Sequence, residues 1–283
     1  MAALEAPAVG GPPPGLTVQA AGHRTNYYDS GAGAPLVLLH GSGPGVSAYS
    51  NWSTVMPELA EQFRVLAPDV AGYGLTEFKD DGQYDMRLWV AHLVAFLDAV
   101  EVDRAVLVGN SFGGALSVAA AVFAPERVAG LVLLGAPAGE FPLTEGLRSG
   151  WFYEPGLDAM RETLLRFPVD PSVVTDEMVA QRHSLSARPG AMEAFRRLMP
   201  RPSGADDEVV RGASAGFLAK ISVPTAVLHG REDHVVPVQA GVFASTHIPD
   251  ADLHVYGRCG HWVQLERRED FIRDVTALAG RCA

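Results

Sequence analysis

Residues 104–124 read RAVLVGNSFGGALSVAAAVFA. The first part is an unbroken apolar run, of the kind carried by a strand covered on both faces. The second part, FGGALSVAAAVFA, reads as a helix of small residues. Between them Gly109-Asn110-Ser111-Phe112-Gly113 fits G-x-S-x-G. A serine on so sharp a strand-to-helix turn projects its hydroxyl above the sheet, where it can serve as a nucleophile. The flanking glycines let the turn close and the helix pack tightly. Gly and Ser are common, so the pattern takes its force from the strand before it and the helix after it. The competing reading is a tight βα turn holding an ordinary serine.

Outward from this turn the same rhythm continues. Segments 16–20, 24–30, 35–39, 63–67, 105–109, 130–135, 224–229 and 252–256 read as strands, several of them apolar almost throughout. Helical patterns at 52–61, 85–99, 112–123, 237–246 and 267–279 alternate with them. Such alternation predicts an open, mainly parallel α/β sheet flanked by helices. The rhythm breaks over residues 138–215, which show helical periodicity, repeated prolines and no good strand. This segment reads as a helical cap inserted between two sheet strands, over the strand ends where ligands bind in such sheets. The remaining core is then 16–137 and 216–283, preceded by a flexible Pro- and Gly-rich tail over 1–15.

The formal charge of −11 repels nucleic acid and anionic membranes, which argues against both as partners. No apolar run approaches the ~18 residues of a membrane span, and the N-terminus lacks a basic and then apolar leader. Two cysteines, Cys259 and Cys282, support neither a disulfide framework nor a cysteine-based zinc site. Together these features point to the cytoplasm.

A serine needs a base to take its proton. For this architecture the order is serine, acid, histidine. Of the late histidines, His254 sits inside a strand pattern and His247 near a helix end. His261 lies in the glycine-flanked loop GRCGHW, which can reach across the sheet top toward Ser111. The acid belongs in REDHVVP after the strand TAVLHG, where Asp233 is preferred and Glu232 is the rival. Asp69 ends the strand before Ser111 and is assigned a structural role. Oxyanion donors are the backbone N–H of Phe112, next to the serine, and of Ser42 in the loop after the third strand. That loop, HGSGPGVSAYSNW over residues 40–52, resembles a phosphate cradle. Its glycines at 41, 43 and 45 break G-x-G-x-x-G, because position 46 is Val, and no Lys-Ser/Thr follows.

The motifs HGSGPG…SNW, GNSFGG, LTEGL, HGREDHVVP and GRCGHWVQLE resemble the α/β-hydrolase-fold carbon–carbon hydrolases of bacterial aromatic catabolism, the meta-cleavage product hydrolases. The likeness runs from about residue 20 to the end and is nearest to members acting on monocyclic ring-fission products, such as 2-hydroxymuconate semialdehyde hydrolase. It implies the α/β-hydrolase fold, the triad Ser111, Asp233 and His261, and oxyanion donors at Ser42 and Phe112. It also implies that Asn51, Asn110, Arg182 and Trp262 hold the dienoate end of a small anionic ring-fission substrate, with Arg188 as rival to Arg182. No metal or organic cofactor is implied, and a homodimer or higher homo-oligomer is. The segment RPSGADDEVVRGASAGFLAKI, with Asp206, Asp207 and Glu208 in a row, departs from the family pattern and leaves the acyl preference open. A general carboxylesterase with the same triad, a non-catalytic receptor on the same fold and a nucleotide-binding protein are the competing functions.

Overall fold

The computed structural model describes residues 10–79, 83–199 and 209–282. The chain runs through β1 (Leu16–Ala20), β2 (His23–Ser30), β3 (Pro35–Leu39), β4 (Arg64–Pro68), β5 (Ala105–Asn110) and β6 (Val128–Leu134). A separate antiparallel pair follows, β7 (Glu140–Pro142) and β8 (Val209–Arg211), and then β9 (Thr225–Gly230) and β10 (Ala251–Tyr256). The main sheet has the order β1-β2-β4-β3-β5-β6-β9-β10. Only β1 with β2 and β2 with β4 pair antiparallel; the rest of the sheet is parallel. Its most apolar strands lie inside: β5 and β9 are buried at every residue, whereas β10, on the edge, is half exposed.

Helices α1 (Ala48–Trp52), α2 (Met56–Leu59), α3 (Met86–Ala99) and α4 (Phe112–Phe123) belong to the first half. Helices α5 (Glu145–Trp151), α6 (Leu157–Leu164), α7 (Asp176–Ser186) and α8 (Ala191–Leu198) fill the segment between β6 and β9, followed by α9 (Ala215–Leu218). Helices α10 (Val238–His247), α11 (Val263–Glu266) and α12 (Arg268–Arg281) complete the chain. One face of the sheet packs on α3 and α4 through Trp89, Phe96 and Leu116. The other packs on α1, α2 and α12, where Trp52 stacks on Phe271 at 6.1 Å between ring centres.

Two expectations need correction. The helix expected over 52–61 is two short ones, because Ser47 caps α1 in a reciprocal box with Ser50 and starts it earlier. Pro57 then opens α2 in its first turn, a position where its missing N–H costs nothing. The segment 138–215 also contains strands, contrary to expectation. Phe141 of β7 faces Val210 of β8 in a three-residue ladder too short to leave a periodic signature. Asp206, Asp207 and Glu208, like residues 1–9 of the expected tail, lie outside the described residues. Among the described residues no helix is long and apolar enough to cross a membrane.

The topology places the site. β3 sits between β4 and β5, so the chain leaves it toward one side and later returns to its other side. The loops after β3 and β5 therefore diverge at the carboxyl end of the sheet, leaving a crevice there.

Candidate active site

Ser111 has φ 53° and ψ −114°, a conformation that costs a non-glycine residue roughly 1–3 kcal/mol. Its N–H donates to the Leu134 carbonyl at 2.7 Å. A Cβ on Gly109 would lie 2.3 Å from the Gly113 carbonyl oxygen, and one on Gly113 would lie 2.1 Å from that of Leu39. Both glycines are thus required by contact between main chains at the turn. Phe112 turns its ring into the core, edge-on to Trp89 at 4.7 Å. Its N–H lies in the first turn of α4, among the donors that a helix leaves unpaired.

His261 and Asp233 meet in a buried pair. His261 Nδ1 lies 2.8 Å from Asp233 Oδ2. The other carboxylate oxygen accepts from the N–H groups of Val235 and Val236, at 2.8 and 2.9 Å. Burial alone would raise the Asp233 pKa. The charge of His261 and hydrogen bonds from His229 and His261 outweigh it and hold the carboxyl well below its usual range. An anionic Asp233 requires the proton on Nδ1, which leaves Nε2 with a lone pair to accept a proton. Gly135, at φ 52°, leaves room for this pair, since a Cβ there would sit 2.8 Å from His261 Nδ1. Glu232 instead accepts from Arg231 and from the Cys259 N–H. His254 also pairs with a carboxylate, Asp274, at 2.6 Å, so pairing alone does not single out a base. What separates His261 is that it lines one cavity with Ser111.

Ser42, Asn51, Asn110, Arg182 and Trp262 line that same cavity. Asn110 Nδ2 donates to the carbonyls of Leu134 and His261, both at 3.3 Å. Asn51 Oδ1 accepts weakly from Gly41 N–H at 3.4 Å, while its Nδ2 is buried without a partner. Arg182 is only 4% exposed and has no carboxylate partner among the described residues. Its Nε is unpaired and its guanidinium lies 6.0 Å from the Trp262 ring. Burial lowers its pKa to about 10, so it stays cationic near neutral pH. A buried cation without a partner carries an effective penalty of several kcal/mol and invites an anion. Arg188 is exposed at the end of α7 and takes no part in the cavity. Asp69 is held in a structural setting, accepting from Ala48 N–H at 2.6 Å and Asn26 Nδ2 at 2.9 Å.

The glycine loop has a second use that its sequence does not show. Gly45, at φ 64°, packs on α7, where a Cβ would fall 1.9 Å from the Arg182 carbonyl oxygen. Gly45→Ala should therefore push α7 outward, lower stability by about 2 kcal/mol and raise KM for an anionic substrate. Thermal melts and steady-state kinetics check this; an unchanged KM would show that Arg182 keeps its place without the contact.

Sequence reasoning missed Phe167, whose carbonyl accepts from His261 N–H at 2.8 Å and whose ring stacks on Trp262 at 5.0 Å. It also missed the apolar wall of Leu147, Trp151, Phe195, Met199 and Val235. In the sequence these are ordinary apolar positions of short amphipathic helices, or of a loop, without a motif.

A strained serine elbow at the switch point of a mainly parallel sheet, with a His–Asp pair beside it, defines a class. The family model for the alpha/beta hydrolase fold matches residues 34–268, and the chain belongs to that family. The chain is 48% identical over 259 residues to a 2-hydroxy-6-oxo-2,4-heptadienoate hydrolase of Pseudomonas putida, covering 92% of this chain and 94% of the relative. It is 46% identical over 257 residues to a 2-hydroxymuconate semialdehyde hydrolase of a Pseudomonas species, covering 91% and 90%. A solved structure of a variant meta-cleavage product hydrolase from Pseudomonas fluorescens, complexed with acetates, matches with a TM-score of 0.89 at 41% identity, covering 95% and 99%. Within the α/β hydrolases this chain is a meta-cleavage product hydrolase, an enzyme of aromatic catabolism acting on carbon–carbon bonds.

Proposed function

We propose that the enzyme cleaves the C5–C6 bond of a 2-hydroxy-6-oxohexa-2,4-dienoate, giving 2-hydroxypenta-2,4-dienoate and a carboxylic acid. The observation that carries this reading is one cavity lined by Ser111, by His261 and by the buried Arg182, whose Nε has no partner. In an acidic chain of net charge −11, Arg182 supplies the local cation that a dienoate needs. Asn51, Asn110 and Trp262 complete the hold on that end. Residues 138–215 act as the cap, supported by the cavity-lining Leu147, Trp151, Arg182 and Phe195 within them.

The bound dienol is first converted to its keto tautomer, placing a proton on C5. Ser111 then attacks the C6 carbonyl while His261 takes the hydroxyl proton. Asp233 stabilises the imidazolium, and the N–H groups of Ser42 and Phe112 receive the oxyanion, a contribution of about 3 kcal/mol per donor in other enzymes. Collapse breaks C5–C6, the electron pair passes into the 2-keto acid, and the His261 imidazolium gives its proton to the departing dienolate, which leaves as the dienol and frees the imidazole. The acyl group stays on Ser111 until water, deprotonated by His261, releases the acid. By its name, the Pseudomonas putida relative acts on a heptadienoate, with methyl at C6, and the second relative on a semialdehyde, with hydrogen there. We assign this enzyme the same small C6 groups, and place it in the cytoplasm with no nucleic-acid or membrane partner.

Loss of the dienoate's visible absorbance on mixing, across hydrogen, methyl, isopropyl and phenyl at C6, tests both the reaction and the preference. Hydrolysis of nitrophenyl esters alone would favour the carboxylesterase reading. Arg182→Gln should raise KM for the dienoate roughly ten- to a hundredfold, the worth of one charge-assisted contact. Unchanged kinetics in that variant would remove the anchor role from Arg182.

A further inference from the structure

We propose that His40, which touches no substrate, positions the oxyanion donor by clamping the Gly41–Ser42 peptide. His40 is fully buried at the end of β3. Its Nε2 lies 3.0 Å from the Val70 backbone nitrogen, and its Nδ1 lies 2.7 Å from the Gly41 carbonyl oxygen. These partners determine the tautomer. A backbone N–H can only donate, so Nε2 is the acceptor. A backbone carbonyl can only accept, so Nδ1 carries the proton.

The consequence falls on the next residue. In a trans peptide the C=O and the following N–H lie in one plane and point in opposite directions. A Gly41 oxygen held by His40 therefore aims Ser42 N–H away from the imidazole. Ser42 lines the cavity and His40 does not, so the N–H faces the side where Ser111 lies. Gly41 has no side chain and would otherwise let this plane rotate. Val70 follows β4, the neighbour of β3, and the Tyr73 ring meets His40 edge-on at 5.4 Å, so the clamp is braced from a second strand's loop. Burial holds His40 neutral, with its pKa lowered to about 4. It therefore serves as a fixed donor and acceptor and never as a second base.

This inference rests on Ser42 N–H being an oxyanion donor, as proposed above. An asparagine Nδ2 can occupy the place of a histidine Nδ1, and a glutamine Oε1 that of Nε2. His40→Asn should keep the bond to the Gly41 carbonyl and lose the one to Val70; His40→Gln should do the reverse. His40→Gln should then lower kcat roughly a hundredfold with KM changed less than about threefold, whereas His40→Asn keeps kcat within about tenfold of wild type. An alkylboronic acid that forms a tetrahedral adduct on Ser111 should bind His40→Gln more weakly by a similar factor to the fall in kcat. Inhibition by the product dienoate should stay unchanged. A purely structural histidine would make the two variants alike in kcat and boronate affinity, and that result overturns the proposal. Nitrogen NMR of the unsubstituted enzyme gives a test independent of variant folding, because a proton on Nε2 of His40 would also overturn it. Failure of the boronate to bind the unsubstituted enzyme would instead defeat the reading of Ser111 as nucleophile.

Discussion

Ser111→Ala should lower kcat by at least roughly ten-thousandfold while leaving substrate affinity within a few-fold of wild type. Loss of the nucleophile from a comparable serine hydrolase costs about a millionfold in kcat. The substituted enzyme keeps Arg182, Asn51 and the remaining cavity wall, so the proposed anchor for the dienoate stays in place. Alanine occupies the same φ of 53° at the same strain, so its thermal midpoint should stay near that of wild type. Titration calorimetry with substrate, beside single-turnover absorbance, separates binding from chemistry. Turnover above one-hundredth of wild type would mean that the reaction proceeds without a serine nucleophile.

Asp233→Asn should lower kcat roughly ten-thousandfold, through the tautomer of His261. Asp233 Oδ1 is committed to the N–H groups of Val235 and Val236. In the variant the oxygen stays there, and the new amide N–H₂ faces His261 Nδ1. The imidazole must then accept at Nδ1 and carry its proton on Nε2, where it cannot take one from Ser111. The substitution also changes the dependence of stability on pH. The Asp233 carboxyl titrates well below its unfolded value of about 3.9. Its contribution is therefore complete above that pH and is lost as the pH falls toward the folded value. Denaturant unfolding between pH 5 and the lowest accessible pH should show a shallower loss for Asp233→Asn than for wild type. A retained slope would mean that other carboxylates carry the acid sensitivity.

Much of this molecule is legible along the chain, where the physics is local. The inner parallel strands β3, β5, β6 and β9 appear as short apolar runs because both faces of a parallel sheet are covered. The elbow appears as glycines at 109 and 113, because no side chain fits between the main chains that cross there. The helix expected over 52–61 fails for an equally local reason, the Ser47–Ser50 cap, which lies outside the apolar period. The pair β7–β8 fails because its two halves are separated by most of the helical segment. Phe167 leaves no sign because it acts through a carbonyl and a ring face, neither of which needs a particular neighbour in sequence.

The sequence by itself determined the fold class, the nucleophile candidate and the order in which acid and base must follow it. These depend on periodicity, on glycine geometry and on chain order. Only the tertiary structure shows that Asp233 and Glu232, and Arg182 and Arg188, face different ways, though they stand one and six positions apart. In each pair the side chains are chemically alike, and what differs is direction. Asp233 turns inward to His261 while Glu232 turns to Arg231. Arg182 is buried against the glycine loop while Arg188 meets solvent. Which way a side chain faces follows from how α7 and the loop after β9 pack on the sheet, a sum of contacts between residues far apart in the chain.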